Sequence, residues 1–292
     1  MRRADTENML IELLSFSIAV ILLYHFFIWK PLDTSVLYRQ HDFLLFGHRG
    51  SPFKQPENTL ASFQQAVADG CNAIELDVYR TKDGHLVVFH DHTLERTTNG
   101  QGRVGEQTLG ALRALNAARG WEGREEKIPT LQEVVDQLPE DIILNFEIKN
   151  FSFFSEHRTE LELVRFIHEN HLKHRVVLSS FNPLNIWRVK MSDPSIFTAQ
   201  LWYKPSWFSL RHPIGVHLSH PDIFHPFETD MNWGVKFWSR MKKIPMHVWV
   251  VNEPELIRSF AQEDMVKGIM SDKTELLVSV VKQIRVPASP EP

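Results

Sequence analysis

The chain has 292 residues, a formal net charge of -4, and 43% apolar and 23% charged residues, a folded-protein composition with no electrostatic footprint for nucleic acid. A single cysteine, Cys71, excludes intrachain disulfides and thiolate metal cages. No composition break divides residues 43–285, so one large domain is expected there.

The first predicted element is Met9 to Trp29, apolar apart from a few residues such as Glu12 and His25. As a helix it would extend about 31 Å, close to the hydrocarbon thickness of a bilayer. Tyr24, Trp29 and Lys30 fit an interfacial belt. The following Lys30-Pro31-Leu32-Asp33 lacks a small-residue cleavage pattern. An uncleaved transmembrane anchor over residues 1–30 is therefore expected, ahead of a signal peptide or a buried soluble helix. Basic residues flank both ends, so the side of the membrane that the domain occupies stays open, as does the oligomeric state. Residues 31–42 read as a short polar linker.

From Phe43 onward strand-like and helix-like stretches alternate, which predicts an α/β domain with a mainly parallel sheet. The strand candidates are Phe43–Phe46, Ala73–Val78, Leu86–His90, Ile142–Ile148, Val176–Ser180, Ile196–Trp202, Gly215–Leu218, His247–Val251 and Gly268–Met270. That is one more than a (β/α)8 barrel needs, and 196–202 or 215–218 is expected to be irregular. Helices are predicted over Thr59–Asp69, Leu131–Gln137, Glu160–Asn170 and Glu255–Gln262. Asn58 or Thr59 would cap the first, and Thr130 with Glu133 makes a capping box for the second. The proline-rich residues 286–292 read as a frayed tail.

Charged residues gather at strand ends: His48 and Arg49 after the first strand, Glu75 and Asp77 on the second, Glu147 and Lys149 closing the fourth. Residues two apart on a strand share one face, so each of these carboxylate-containing pairs points the same way. A tight turn at Asp83-Gly84 would set Asp77 opposite His90.

Three carboxylates without partnering thiols form a hard oxygen site suited to magnesium, calcium or manganese. His48 and His90 suit proton exchange near neutrality. Arg49 and Lys149 offer positive charge to an anion, with a Lys149–Glu147 salt bridge as the alternative role for the lysine. Glu57 divides between holding its own loop and meeting substrate. Trp249 is expected as a pocket wall. Gly100 to Gly105 formally spells G-x-G-x-x-G, but it does not directly follow a strand and reads as a loop. His168, His171 and His174 read as a solvated helix end. The aromatic residues between Trp202 and Trp238 divide between core packing and a lipid-facing rim.

The series His48-Arg49-Gly50, Pro56-Glu57-Asn58-Thr59, Glu75-Leu76-Asp77-Val78, Lys82-Asp83-Gly84, His90-Asp91 and Glu147-Ile148-Lys149 resembles the glycerophosphodiester phosphodiesterase family. Ser180-Phe181, Trp249-Val250-Val251-Asn252 and Gly268-Ile269-Met270-Ser271-Asp272 resemble its later markers, which places Phe181 beside Trp249 among candidate pocket residues. The resemblance runs from about residue 44 to 280 and implies a (β/α)8 TIM barrel over residues 43–285. It implies a divalent cation, Mg2+ or Ca2+, on Glu75, Asp77 and Glu147. His48 and His90 would be acid and base, with Arg49 and Lys149 on the phosphate. It further implies hydrolysis of glycerophosphodiesters to glycerol 3-phosphate and an alcohol, by attack of the glycerol 2-hydroxyl and opening of a cyclic phosphate. The anchor and the aromatic residues extend the expected substrates to lysophospholipids. A related barrel phospholipase acting on choline- or inositol-phospholipids, and a catalytically silent membrane scaffold, are the alternatives. The short connection from His90 to Glu147 and the poorly matching residues 181–245 leave the substrate ends unspecified.

Overall fold

A computed structural model describes residues 2–149, 158–202 and 216–285. Nine strands form one sheet: β1 (Leu44–His48), β2 (Ala73–Arg80), β3 (Leu86–Val88), β4 (Ile143–Ile148), β5 (Val176–Ser180), β6 (Phe197–Trp202), β7 (Ile223–Pro226), β8 (Met246–Val248) and β9 (Val266–Ser271). Strand β1 pairs in parallel with both β2 and β9, which closes the sheet. Strand β3 alone runs antiparallel, on the outer edge of β2, and the remaining eight make a parallel closed barrel. The helices are α1 (Arg2–Leu23), α2 (Leu60–Ala68), α3 (Leu109–Arg113), α4 (Leu131–Gln137), α5 (Thr159–Glu169), α6 (Pro183–Ser192), α7 (Val216–Ser219), α8 (Trp233–Lys242), α9 (Pro254–Ala261) and α10 (Thr274–Arg285).

Period-two alternation assigns the two faces of each barrel strand. On β2 and β4 the residues Ile74, Leu76, Val78, Leu144, Phe146 and Ile148 belong to the large core shared with the helices. Their neighbours Ala73 and Ile143 join Leu44, Phe46, Val177, Phe197 and Ile223 in a second, smaller core filling the barrel's base. Moving along the same inward face toward the carboxyl ends, Ala73 gives way to Glu75 and Asp77, and Ile143 to Asn145 and Glu147. The barrel is thus greasy at its base and charged at its mouth, the face on which barrel chemistry is placed.

Several sequence expectations change. Of 196–202 and 215–218, one of which is expected to be irregular, the first is regular, with Phe197–Trp202 a buried strand, and the second is the exception. Within Gly215–Leu218, residues 216–218 are helical, as part of α7, and the strand of that repeat is Ile223–Pro226, four residues too short and too proline-bound to stand out. The surplus candidate is β3. Its turn holds three residues rather than two: Thr81 N donates to His85 O and Gly84 takes φ +92°, a conformation that favours glycine. The register is Val78 opposite Val88, so Asp77 faces Phe89 and not His90. Pairing ends before His90, and the side chain reaches the mouth from an irregular segment. Thr59 caps α2, which leaves Asn58 for another role, and the Thr130–Glu133 capping box is formed.

The N-terminal expectation also changes. Helix α1 begins with the charges of Arg2, Arg3, Asp5 and Glu7, carries Glu12, and passes at Tyr24–Ile28 into a π-helical turn. Among the described residues no helix is long and apolar enough to cross a membrane. Trp29, expected at a lipid interface, is buried against the barrel, with Lys242 Nζ 5.0 Å above its ring and His220 4.8 Å away. Residues 31–42 hold more than a linker: a 3-10 turn at Ser35–Tyr38 presses Leu37 into the apolar base of the barrel. The tail 286–292 and the aromatics Tyr203, Trp207 and Phe208 lie outside the described residues.

Candidate active site

The turn after β1 brings the first residues to the mouth. Arg49 and Asn58 both adopt left-handed backbone, at φ +54° and +57°, and Gly50 sits at φ +87°. A Cβ on Gly50 would lie 2.4 Å from Ser62 Oγ, so glycine is required there on both counts. This tight turn aims the Arg49 N–H at Glu75 Oε2, at 3.0 Å. Non-glycine residues held in this region cost free energy, and such cost gathers where function demands a fixed geometry.

Glu75, Asp77 and Glu147 are buried, and an oxygen of each lies within 4.8 Å of the others. Lys149 Nζ sits between Asp77 Oδ1 (2.9 Å) and Glu147 Oε1 (2.6 Å). Arg49 Nε is 3.5 Å from Asp77 Oδ2, and Asn58 Nδ2 donates to that oxygen at 2.7 Å. Three carboxylates face two cations, so one negative charge is left over if all three ionise. Burial, reinforced by Asp77 and Glu147, pushes the Glu75 carboxyl well above its ordinary range. Asp77 takes the opposite course: burial alone would raise it, but Lys149, His90 and Arg49 hold it below the usual carboxylate range. Burial opposes the charge of Lys149 and Arg49 as well, yet the carboxylates win and raise both.

The two histidines share a device. His48 Nδ1 lies 2.7 Å from Asp272 Oδ1, and His90 Nδ1 lies 2.5 Å from Asp91 Oδ1. In each the carboxylate accepts a hydrogen bond from Nδ1–H, an arrangement that in a neutral ring leaves Nε2 as the proton acceptor. His48 Nε2 lies 3.9 Å from Glu75 Oε2. Burial lowers His90 below an ordinary histidine, with Asp77 resisting. The supporting carboxylates are themselves held. Asn252 Nδ2 donates to Asp272 Oδ2 at 2.8 Å. Arg96 grips Asp91 (2.5 and 3.0 Å) and Glu57 (2.7 and 2.7 Å), and Glu57 in turn meets Arg49 at 3.1 Å. Glu57 is therefore tied to two arginines. Arg96 and His90 bring Asp91 down to about 2, against the effect of burial.

These groups meet at one cavity of about 440 Å3, whose lining includes His48, Arg49, Glu75, His90, Glu147 and Lys149 together with Phe181, Leu201, Trp249 and Met270. Phe181 and Trp249 meet edge to face at 5.4 Å, and Trp249 Nε1 donates to His225 O. Asn145 also lines it, with its Oδ1 buried and lacking a hydrogen-bond partner among the described residues. A carboxylate triad with an unmet amide oxygen beside it is a donor set of the kind that a hard divalent cation takes.

Residues 48–276 match the glycerophosphoryl diester phosphodiesterase family. The chain belongs to that family. It is 33% identical over 247 residues to a glycerophosphodiester phosphodiesterase of Caldanaerobacter subterraneus, covering 82% of this chain and 98% of the relative. Human glycerophosphodiester phosphodiesterase 1 is 36% identical over 170 residues, 56% of this chain and 50% of that one. Among solved structures, an Oleispira antarctica phosphodiesterase in complex with the product sn-glycerol-3-phosphate superposes with a TM-score of 0.67 at 27% identity, covering 81% of this chain and 96% of that chain. In this family member the structure brings together all the site residues predicted from sequence. Asn58, Arg96, Asn145 and Asn252, with the roles of Asp91 and Asp272, come from the fold. Asp91 adjoins His90 in sequence, whereas Asp272 meets His48 only because β1 and β9 are neighbours.

The Gly100–Gly105 motif lies in a loop, and the series His168, His171 and His174 lies on the surface. Gly102 N is bonded to Glu95 Oε1 within a turn-rich loop, and His168 pairs with Asp193 on the exterior.

Proposed function

We propose that the chain hydrolyses glycerophosphodiesters, releasing glycerol 3-phosphate and an alcohol, with a hard divalent cation, Mg2+ or Ca2+, held by Glu75, Asp77 and Glu147. The observation that carries the proposal is the meeting of this triad with two carboxylate-backed histidines in one cavity. When bound, the cation supplies positive charge beside the phosphoryl oxygens. Charge balance supports the pairing. Two added positive charges bring the three carboxylates with Arg49 and Lys149 to one net positive charge, matching the single negative charge of a phosphodiester.

Arg49 presents a fork of donors suited to the phosphate oxygens, and its buried Nε is without a hydrogen-bond partner among the described residues. Lys149, buried between two metal-site carboxylates, holds their spacing and adds its charge. His48 and His90 move protons at Nε2: one, neutral, accepts from the attacking hydroxyl, and the other, entering protonated at both ring nitrogens, donates from Nε2 to the leaving oxygen. The glycerol 2-hydroxyl, attacking to give a cyclic phosphate that water opens, is the nucleophile that the resemblance favours.

The apolar wall of Phe181, Leu201, Trp249 and Met270 favours a substrate with a greasy portion, so lysophospholipids, giving acylated glycerol 3-phosphate, fall within the proposal. The N-terminal segment would hold the barrel at a membrane, since its Met9, Leu10, Ile11, Leu13, Leu14 and Phe16 are exposed and lack a protein core to enter. Turnover of glycerophosphocholine and lysophosphatidylcholine, with and without chelator, tests the reading. Release of glycerol 3-phosphate that a chelator abolishes and Mg2+ or Ca2+ restores is expected, and no metal-dependent turnover of either substrate would refute it.

A further inference from the structure

Helix α8 packs Val235 and Trp238 on the core, as a surface helix does, but its outer face is apolar as well. Its exposed face carries Trp233, Phe237 and Met241, at 78%, 49% and 46% exposure, one helical turn apart. Trp233 and Phe237 stack at 5.2 Å with an interplanar angle of 18°. At the lower end Met241 shares a groove with Phe27 and Trp29, so the stripe continues into the apolar N-terminal segment. At the upper end α8 starts six residues after Phe227, across a 3-10 turn at Glu228–Asp230, and Phe227 packs on the cavity wall residue Trp249 at 5.1 Å. The stripe therefore runs from the emerging N-terminal segment to the neighbourhood of the catalytic cavity.

Charge indicates the occupant. Helix α8 and its cap contain Lys236, Arg240, Lys242 and Lys243 and no acid. Lys236 and Arg240 share Glu263 as partner, and Lys242 is spent on Trp29, but Lys243 is exposed and Lys30 lines the same groove. An apolar stripe with a basic margin complements a phospholipid surface bearing anionic headgroups.

We infer that the α8 face is a bilayer-docking surface, which lays the barrel side-on against phospholipid and brings the catalytic mouth to the headgroup layer. The inference rests on the lipid-facing part of the proposed function, and it is independent of whether any helix spans the bilayer. Docking would draw Trp233 and Phe237 into the headgroup and acyl boundary, and would favour diesters presented by a membrane over those free in solution.

The buried Cys71 is the sole native thiol, so a cysteine introduced on the surface can be labelled selectively. The full-length chain carrying Phe237→Cys, labelled with a polarity-sensitive fluorophore, is mixed with phosphatidylcholine vesicles with or without phosphatidylserine. Gln132→Cys on α4, across the barrel, serves as the reference. A blue shift at position 237, larger with phosphatidylserine and absent at 132, is expected. The Trp233→Ser/Phe237→Ser double variant should lose vesicle partitioning by about tenfold, while glycerophosphocholine turnover in solution is unchanged. Vesicle binding with no shift at 237, or undiminished in the double variant, would overturn docking through α8 and leave the lipid-facing function standing. No vesicle binding by the wild-type chain would overturn both, while soluble turnover would still report on the catalytic site. A dimer that the double variant abolishes would assign the face to a second copy of the chain and overturn the inference.

Discussion

Asp272 does not itself line the cavity, yet the proton chemistry of His48, which does, depends on it. Its Oδ1 accepts from His48 Nδ1 at 2.7 Å, and burial, which would raise its pKa, is outweighed by His48 and Asn252. A hydrogen bond to an ionised partner contributes about 1.5–3 kcal/mol. If that contribution is felt fully when the imidazole carries a proton in the transition state, its loss slows turnover by about 10- to 150-fold. Asp272→Ala removes the acceptor and leaves Asn252 Nδ2 without its partner. Asp272→Asn keeps the shape but removes the charge, so it should fall within the same range and nearer the lower end. Both should act on kcat and spare KM, because the ground-state substrate meets neither carboxylate oxygen. Steady-state kinetics on glycerophosphocholine at saturating divalent cation, with circular dichroism to verify folding, measures this. A folded Asp272→Ala enzyme with wild-type kcat, or with a change confined to KM, would refute the positioning of His48 by Asp272.

Arg96→Ala should lower kcat by about tenfold with little change in KM, since the bidentate grip on Asp91 and Glu57 is lost, and Arg96→Lys should restore it only partly because an ammonium lacks the planar fork; equal rates in all three would show that the grip is dispensable. The pH dependence of stability should carry the mark of His225 and His247, buried side by side at 3.0 Å with Tyr38 closing the chain at 2.8 Å. Burial lowers His225 well below the ordinary value and His247 to about 3, so their contribution is present above the unfolded value near 6.5 and is lost as pH falls from there. At pH 5 that amounts to about 2 kcal/mol for His247, and His225 acts in the same direction. Urea unfolding at pH 7.5 and pH 5 should therefore show a drop steeper in the wild type than in His247→Gln, and parallel curves would contradict it.

The strand ends and their charges were readable because a carboxylate two residues from another on an apolar strand has few uses other than chemistry. The parity argument held for Glu75 with Asp77, which share the inward face with Asn145 and Glu147. The hairpin argument failed by one residue, because the choice between two and three loop residues depends on backbone detail at Thr81 and Gly84 that residue types alone do not specify. His90 reaches the mouth nonetheless, through an unpaired segment beyond β3. Strand β7 was invisible since a four-residue strand ending in proline has no pattern long enough to register. The pairing of His48 with Asp272 spans 224 positions and becomes apparent only when the barrel closes. The aromatic run was legible as a composition and illegible as a structure: Trp202 and Phe224 are core, while Trp233 and Phe237 face outward.

The turn at Ser35–Tyr38 changes where the folded unit begins. Leu37 occupies the bottom of the barrel, Tyr38 reaches His247, and Leu32 N is bonded to Asp222 Oδ1. A truncated protein starting at Phe43 would remove this stopper, admit water to Leu44, Phe46 and Ile143, and strip His247 of its hydroxyl partner. A shortened chain intended to stay folded must start upstream of Leu32. The N-terminal segment and the barrel then meet with almost no slack, so whatever surface holds the first thirty residues also sets the height and tilt of the catalytic mouth.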